Sequence, residues 1–261
     1  MKKTVSIMPC LNVQKGRVVK GIHFEDLIDA GDPVALAVAY EMDGADEIGY
    51  FDISATREKR QTDFEVLRRV AEAVSIPVMV GGGLQTLADI EAGLAAGARM
   101  VGLTSAAFLN PSLVTEAAQR FGSEVIGVSI DAERNDKMPS SREVYIEGGR
   151  KPTGVDVLEF AKRMAGLGIG RLIPNSKPGD GSKRGYDLDL IRGIADATKL
   201  PTVASGGGGK LVHFLEAVKE GHAQVLLAAS VFHFNIFSVR QVKAYLASQG
   251  VKLHNPPVAQ M

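Results

Sequence analysis

The side chains with the clearest catalytic potential stand where apolar segments end. Asp131 directly follows Val128-Ser-Ile130, so it projects from an otherwise apolar segment. Partial burial of a carboxyl group raises its pKa toward neutrality, which suits a general acid or base, although such a carboxylate can also anchor a loop. Asp52 and Asp180 lie near or just past the ends of other apolar segments, and Asp180 could instead hold a turn. Asn12 takes the corresponding place in the first segment.

Two glycine runs, Gly81–Gly83 and Gly206–Gly209, each follow an apolar segment and precede a predicted helix. Glycines there let backbone N–H groups approach an anion, and the start of the following helix adds its dipole. One such run could serve only as a tight turn, but two matched runs favour two phosphate-binding sites. The residues predicted to contact phosphate are Lys20, Gly82, Gly83, Thr104, Ser105, Gly181, Gly206, Gly207, Ala229 and Ser230.

Composition restricts the class of protein. The 261 residues include 30 basic and 30 acidic side chains, which removes the electrostatic argument for nucleic-acid or anionic-membrane partners. Cys10 is the single cysteine, so an intramolecular disulfide is impossible and a reducing compartment is expected. No apolar run is long enough to span a bilayer, and the five histidines lack the spacing of metal ligands. We therefore expect a cytoplasmic enzyme with no metal and no cofactor.

Short apolar segments alternate with longer, helix-periodic segments along the chain. Eight such repeats require parallel strands with helical crossovers and predict a single (β/α)8 TIM barrel over residues 1–253, followed by a disordered tail at 254–261. An open doubly wound sheet would need an edge strand, which no segment provides. The predicted strands are Val5–Val13, Glu47–Ile53, Val78–Val80, Met100–Leu103, Glu124–Ile130, Arg171–Pro174, Thr202–Ala204 and Val225–Ala228. The predicted helices include Asp63–Ala73, Leu87–Ala96, Pro111–Phe121, Val155–Leu167, Leu188–Ala197 and Lys210–Glu220.

The two halves of the sequence also resemble each other. The run Pro77–Gly83 corresponds to Pro201–Gly208, and the serines Ser105 and Ser230 follow the two glycine runs at the same distance. This similarity predicts an internal two-fold repeat of half-barrels, in which a site in one half has a counterpart in the other. The polar stretch Arg134–Lys151 predicts a long loop or a short hairpin beside the active face.

Together these motifs closely resemble the cyclase subunit of imidazole glycerol phosphate synthase, the HisF family, over nearly the whole chain. The matching motifs are Pro9–Val13, Gly16–Gly21, Gly31–Pro33, Phe51–Ile53, Val80–Gly83, Asn110–Ser112, Ile130–Ala132, Asp180–Gly181, Ser205–Gly207 and Ala229–Phe234. The resemblance implies a TIM-barrel lyase of histidine biosynthesis, an amino-acid biosynthesis pathway. Its substrate would be a bis-phosphorylated aminoimidazole carboxamide ribonucleotide, closed with ammonia to imidazole glycerol phosphate, and a glutaminase subunit would deliver the ammonia through the barrel.

The resemblance also assigns roles to residues of this chain. It implies that Asp131 is a catalytic aspartate and that Lys20, Asp52 and Asp180 belong to the active face. The second catalytic aspartate of the family is Asn12 here. An amide cannot accept and return a proton near neutral pH. The loss of an essential proton transfer costs a factor of about 10² to 10⁴ in rate.

The family's channel gate, at the other end of the barrel, corresponds to Ser6, Glu47, Met100 and Arg171. Of these four residues only Glu47 matches the family. Arg171 replaces a carboxylate, Met100 replaces a cation, and Ser6 also differs. A glutaminase partner is therefore an open question. Three hypotheses follow: a cyclase that relies on Asp131, a divergent paralogue that binds a phosphosugar or bis-phosphate without ammonia delivery, and a non-enzymatic sensor of phosphoribosyl ligands.

Overall fold

The computed structural model describes residues 4–22 and 25–255. Its strands are β1 (Ser6–Gln14), β2 (Arg17–Ile22), β3 (Glu25–Gly31), β4 (Ile48–Asp52), β5 (Val78–Gly81), β6 (Met100–Leu103), β7 (Ile126–Arg134), β8 (Arg142–Ile146), β9 (Lys151–Asp156), β10 (Arg171–Ser176), β11 (Val203–Ala204) and β12 (Val225–Ala228). Its helices are α1 (Pro33–Met42), α2 (Ala55–Glu58), α3 (Phe64–Ala73), α4 (Leu87–Ala95), α5 (Ser105–Leu109), α6 (Pro111–Phe121), α7 (Val157–Gly166), α8 (Leu188–Thr198), α9 (Leu211–Lys219), α10 (Ser230–His233) and α11 (Val239–Ser248).

Eight parallel strands within the described residues close into a barrel, in the order β1, β4, β5, β6, β7, β10, β11 and β12. Two parallel bridges, Leu172 with Thr202 and Asn175 with Ser205, join β10 to β11, and β12 pairs with β1. This arrangement confirms the predicted TIM barrel. The largest boundary difference is at β7, which begins after a 3₁₀ turn at Ser123–Val125 and extends to Arg134.

The β7 extension has a physical cause, because β7 continues into an antiparallel hairpin with β8 and β9. The stretch Arg134–Lys151 therefore adopts the hairpin, one of the two predicted alternatives. A second hairpin, β2 and β3, pairs with the end of β1 and was not predicted. Lys20 consequently lies on strand β2 rather than in an irregular loop, since the β-branched Val18 and Val19 favour extended pairing.

The two half-barrels repeat the same local devices. The carboxylates of Asp32 and Asp156 accept backbone N–H groups at the starts of α1 and α7. Asp63 and Asp187 do the same for α3 and α8. The number of residues from Asp32 to Asp156 equals the number from Asp63 to Asp187, as a repeat of half-barrels requires. Helix capping of this kind stabilises a helix by about 1 kcal/mol. The matched caps support the predicted two-fold repeat.

Alternate residues of the barrel strands enter two separate apolar cores. On β1, Ile7 and Leu11 join the larger core between the strands and the helices, whereas Met8 and Cys10 join a smaller core that contains strand residues. This alternation follows from the two-residue period of a strand and identifies the smaller core as the barrel interior. Burying both faces explains why these strands are largely apolar.

The chain end returns to the start of the barrel. Val5 bridges Leu253, and the His254 N–H donates to the Val5 carbonyl at 2.9 Å. Residues 256–261 of the predicted tail lie outside the described residues, so the limits 1–253 and 254–261 stay predictions. No helix in the described ranges is long and apolar enough to cross a membrane.

Candidate active site

The carboxyl ends of the barrel strands surround a cavity of about 390 Å³. This volume lies in the range that binds small organic ligands. The predicted site residues that line the cavity are Asn12, Lys20, Asp52, Gly82, Thr104, Ser105, Asp131, Asp180, Gly181, Gly206, Gly207, Ala229 and Ser230. Gly83 lies behind this lining, and its backbone N–H donates to Thr56 Oγ1 at 3.2 Å. The glycine run thus contributes to the cavity mainly through Gly82.

Asp131 presents its carboxylate to the cavity from the wall formed by β7. Its Oδ1 accepts a hydrogen bond from Asn175 Nδ2 at 3.0 Å. Burial raises the pKa of Asp131 to about 6, and the charge of Asp180 adds to this rise, while the Asn175 bond and Lys177 oppose it. A carboxyl group that titrates near pH 6 can both accept and return a proton under physiological conditions. The position and raised pKa of Asp131 suit a general acid or base, and its catalytic role stays a prediction.

Lys20 and Asp180 form a buried ion pair in the cavity lining. Lys20 Nζ donates to Asp180 Oδ1 at 2.7 Å, and the two side chains are 5% and 12% exposed. The other oxygen, Asp180 Oδ2, is buried without a hydrogen-bond partner among the described residues. A buried carboxylate oxygen left in this state is costly, so Oδ2 is suited to accept a hydrogen bond from a ligand.

Asn12 lies at the cavity wall beside a buried thiol. Cys10 Sγ is 3.3 Å from Asn12 Oδ1 and acts as the donor. Burial raises the pKa of the Cys10 thiol to about 12, so it keeps its proton at neutral pH. The amide of Asn12 can donate and accept hydrogen bonds but cannot serve as a base. The first half-barrel therefore offers polar contacts at this position rather than proton transfer.

Two glycine turns border the cavity at equivalent places. We call Gly82, Thr104 and Ser105 the first cup, and Gly206, Gly207, Ala229 and Ser230 the second cup. Gly82 and Gly206 have matching positive φ values of 85° and 81°. A Cβ atom would lie 2.1 Å from the Asp52 carbonyl oxygen at Gly82 and 2.8 Å from the Ser176 carbonyl oxygen at Gly206. Only glycine therefore fits these turns, which bring bare backbone to the cavity.

Asp52 lines the cavity, but its carboxylate is held by protein groups. Arg60 donates to its two oxygens at 2.6 and 2.8 Å. The backbone N–H groups of Ala55 and Asp63 add hydrogen bonds at 3.1 and 3.2 Å. A carboxylate with these partners is fully occupied, so Asp52 anchors the connection between β4 and α3. The resemblance had implied an active-face role for Asp52, and no sequence signal pointed to Arg60.

The opposite end of the barrel carries an ion pair and packed apolar side chains. Arg171 donates to both carboxylate oxygens of Glu47, at 2.5 and 3.3 Å, and Met100 packs against the interior core. At the cavity end of the barrel, the ring of Phe51 fills the space over Gly81, where a Cβ atom would lie 2.6 Å from the ring. Of the four predicted gate residues, the structure joins Glu47 and Arg171 and packs Met100 nearby, while Ser6 begins β1 at the same end.

Several cavity residues were not predicted from the sequence. Hairpin residues Glu147 and Arg150 reach the lining, and the Glu147 N–H donates to Ser105 Oγ of the first cup at 2.8 Å. Asn175 on β10 and Ser205, directly after β11, also line the cavity. Their positions at the carboxyl ends of barrel strands were the signal that could have identified them. No cluster of histidine, cysteine and acidic side chains suited to a metal occurs in the part of the chain that the structure describes.

Comparison with known families agrees with this architecture. A family model described as "Histidine biosynthesis protein" matches residues 6–238, which is most of the chain. The chain belongs to this family. Its members are (β/α)8 barrels that act as isomerases or cyclases on phosphorylated ribonucleotide-type substrates. The match covers both cups and every polar cavity residue discussed above.

Proposed function

We propose that this chain is a cyclase of the imidazole glycerol phosphate synthase type. It would combine ammonia with a bis-phosphorylated aminoimidazole carboxamide ribonucleotide and release imidazole glycerol phosphate and an aminoimidazole carboxamide ribonucleotide. The observation that carries the proposal is the pair of cups on opposite sides of one cavity, with Asp131 on the wall between them. A substrate with a phosphate at each end matches this arrangement.

The two cups support a double phosphate anchor. Each combines a glycine turn with a serine hydroxyl, Ser105 in the first cup and Ser230 in the second. Backbone N–H groups and hydroxyls are the usual phosphate ligands at the mouths of barrels. Lys20 adds a positive charge to the cavity. Because it also pairs with Asp180, it orients that carboxylate as well. Two anchors fix both ends of the substrate, which aligns its reactive centre for the chemical step.

Asp131 supports the proton transfers that the cyclisation requires. Attack by ammonia leaves a positively charged nitrogen that must lose a proton, and the departing amine must gain one. A carboxyl group with a pKa near 6 can perform both transfers in succession. Asn12 would hold the substrate through hydrogen bonds only, so we expect slower turnover than two carboxylates would give.

The filled barrel interior favours ammonia taken from solution. Phe51, Met79 and Met100 occupy the interior, and Glu47 pairs with Arg171 at its far end. Ammonia entering from the open face would reach Asp131 without crossing this core. We propose that this packing prevents delivery of ammonia through the barrel and that the chain acts without a glutaminase partner. We also propose a cytoplasmic location, where phosphorylated intermediates of amino-acid biosynthesis are made.

A second candidate is favoured by one observation, the presence of Asn12 where the family has a carboxylate. In this alternative the chain binds a bis-phosphate or phosphosugar through the same cups but carries out other chemistry with Asp131 alone. The two candidates share the ligand class and differ in whether ammonia is incorporated.

Turnover of the bis-phosphorylated substrate with ammonium chloride separates the candidates. The cyclase proposal predicts release of imidazole glycerol phosphate by the wild-type chain, its loss in Asp131→Asn, and a gain of at least about tenfold in Asn12→Asp. Binding without ammonium-dependent product, together with a gain of cyclase activity in Asn12→Asp, would favour the second candidate. Conversion without ammonium would indicate isomerase-type chemistry. Absence of binding would refute both.

A further inference from the structure

The duplicated barrel contains an internal comparison around Asp131. In the second half, Asp131 on β7 is aligned with Asn175 on β10, which is aligned with Ser205 directly after β11. In the first half, Asn12 on β1 is aligned with Phe51 on β4, and Phe51 with Gly81 on β5. Both rows cross three adjacent strands at their carboxyl ends. They differ in chemistry although they occupy equivalent places.

The row in the first half contains no group that could support a base. Phe51 offers a hydrocarbon ring and Gly81 has no side chain, and the ring covers the glycine closely. Asn12 has its Oδ1 against the Cys10 thiol instead. Nothing in this row stabilises a negative charge, which agrees with the neutral amide found there.

The row in the second half is a continuous chain of hydrogen bonds. Ser205 Oγ donates to Asn175 Oδ1 at 3.1 Å, and Asn175 Nδ2 donates to Asp131 Oδ1 at 3.0 Å. The Asp131 carboxylate fixes the amide orientation, because a flipped amide would turn its oxygen toward the carboxylate and two acceptors would face each other. The Ser205 hydroxyl then donates to the amide oxygen and holds the side chain in place. Ser205 is buried and adjoins Gly206 of the second cup, which restricts its movement.

We propose that Asn175 and Ser205 form a positioning relay that holds the Asp131 carboxylate ionised and aimed at the substrate. Asn175 contacts Asp131 directly, whereas Ser205 acts through Asn175. The proton chemistry of the barrel would then reside in its second half alone, and the first half would serve binding. The relay deepens the proposed function and rests on it for the reaction, but the titration of Asp131 does not depend on turnover.

Other charged groups around Asp131 set the background for this relay. Lys177 forms an ion pair with Glu133 at 2.6 Å. Its Nζ also lies 4.1 Å from the centre of the ring of Tyr145, the β8 residue that is aligned with Asp131. Its positive charge favours the ionised carboxylate, whereas Asp180, paired with Lys20, disfavours it. The relay variants leave these groups in place, so their effect on Asp131 can be attributed to the hydrogen bonds.

The direct test is an NMR titration of protein labelled with ¹³C at the aspartate carboxyl carbons, with Asp131→Asn used to assign the resonance. Asn175→Ala should raise the titration midpoint of Asp131 by about one pH unit, a tenfold change in its acid dissociation constant. Ser205→Ala should raise it by a smaller amount in the same direction. Asn135→Ala, which removes an amide-to-carboxylate bond to Glu143 outside the cavity, is the matched control and should leave it unchanged.

The kinetic counterpart is the acid limb of the pH profile of kcat/KM. It should move upward in Asn175→Ala and Ser205→Ala by the amounts measured in the titration. An unchanged midpoint in both relay variants, or an equal shift in Asn135→Ala, would overturn the proposal. If the chain turned over no tested substrate, the titration would still decide the relay while the proposed function failed. Ser205→Ala keeps the test available if Asn175→Ala does not fold.

Discussion

Replacing Asp131 with asparagine should stabilise the protein at neutral pH. Burial raises the pKa of this carboxyl from 3.8 to about 6, so the native state has to hold a charge that it disfavours. One pKa unit corresponds to about 1.4 kcal/mol, which gives about 3 kcal/mol for the full difference. Asp131 is only half-buried because one side faces the cavity, so we expect about 2 kcal/mol. The new amide can still accept the Asn175 hydrogen bond.

The pH dependence of this effect follows from proton binding. Between about pH 4 and pH 6 the native protein retains a proton that the unfolded chain has lost, so the free energy of unfolding falls as the pH rises. Above pH 7 the full destabilisation is present, and near pH 4 it has largely disappeared. The advantage of Asp131→Asn should therefore be about 2 kcal/mol at pH 8 and less than about 1 kcal/mol at pH 4.

Urea unfolding at the two pH values measures this difference. Asp136→Asn is a suitable control, because Asp136 is 72% exposed and pairs only with the equally exposed Arg134, so its replacement should change stability by less than about 0.5 kcal/mol. The reasoning would be refuted by an Asp131→Asn variant that is no more stable than the wild type at pH 8, or by an advantage of equal size at both pH values. The Asp131→Asn variant should lose catalytic activity whatever its stability.

Three further predictions concern stability and are measured by urea unfolding. Lys243→Met should cost about 3 to 5 kcal/mol, since it leaves the fully buried Asp46 carboxylate without its 2.7 Å partner; an unchanged midpoint would contradict this. Arg171→Met should destabilise by about 3 kcal/mol, and adding Glu47→Gln should recover most of the loss, whereas additive losses would argue against a closing pair. Gly82→Ala should cost more than about 1 kcal/mol because of its positive φ and the Asp52 carbonyl, and a neutral effect would disprove the strain.

The fold could be predicted from the sequence because local and global signals agree. Apolar runs such as Val78–Val80 and periodic segments such as Leu188–Ala197 specify their elements independently of the rest of the chain. The β2–β3 hairpin escaped prediction because its strands include polar residues such as Lys20 and Asp29, which weaken the apolar signal of a strand. Such pairing is set by tertiary contacts rather than by local pattern.

The site was predictable in part for the same reason. Glycine runs and an aspartate after an apolar strand carry their meaning locally, and Gly82, Gly206 and Asp131 all reach the cavity. The partners that adjust them are distant in sequence, as Asn175 is from Asp131. No sequence motif around Arg60 indicates that it donates hydrogen bonds to Asp52. Contacts of this kind exist only once the barrel has closed, so spacing in the sequence cannot reveal them.

The most direct test of the two anion sites is titration calorimetry of the bis-phosphorylated substrate without ammonium. The wild-type chain should bind one molecule, and Ser105→Asp and Ser230→Asp should each weaken binding by at least about tenfold, because each places a negative charge in one cup. Wild-type affinity in either variant would mean that the corresponding cup holds no phosphate, and the account of a substrate anchored at both ends would be wrong.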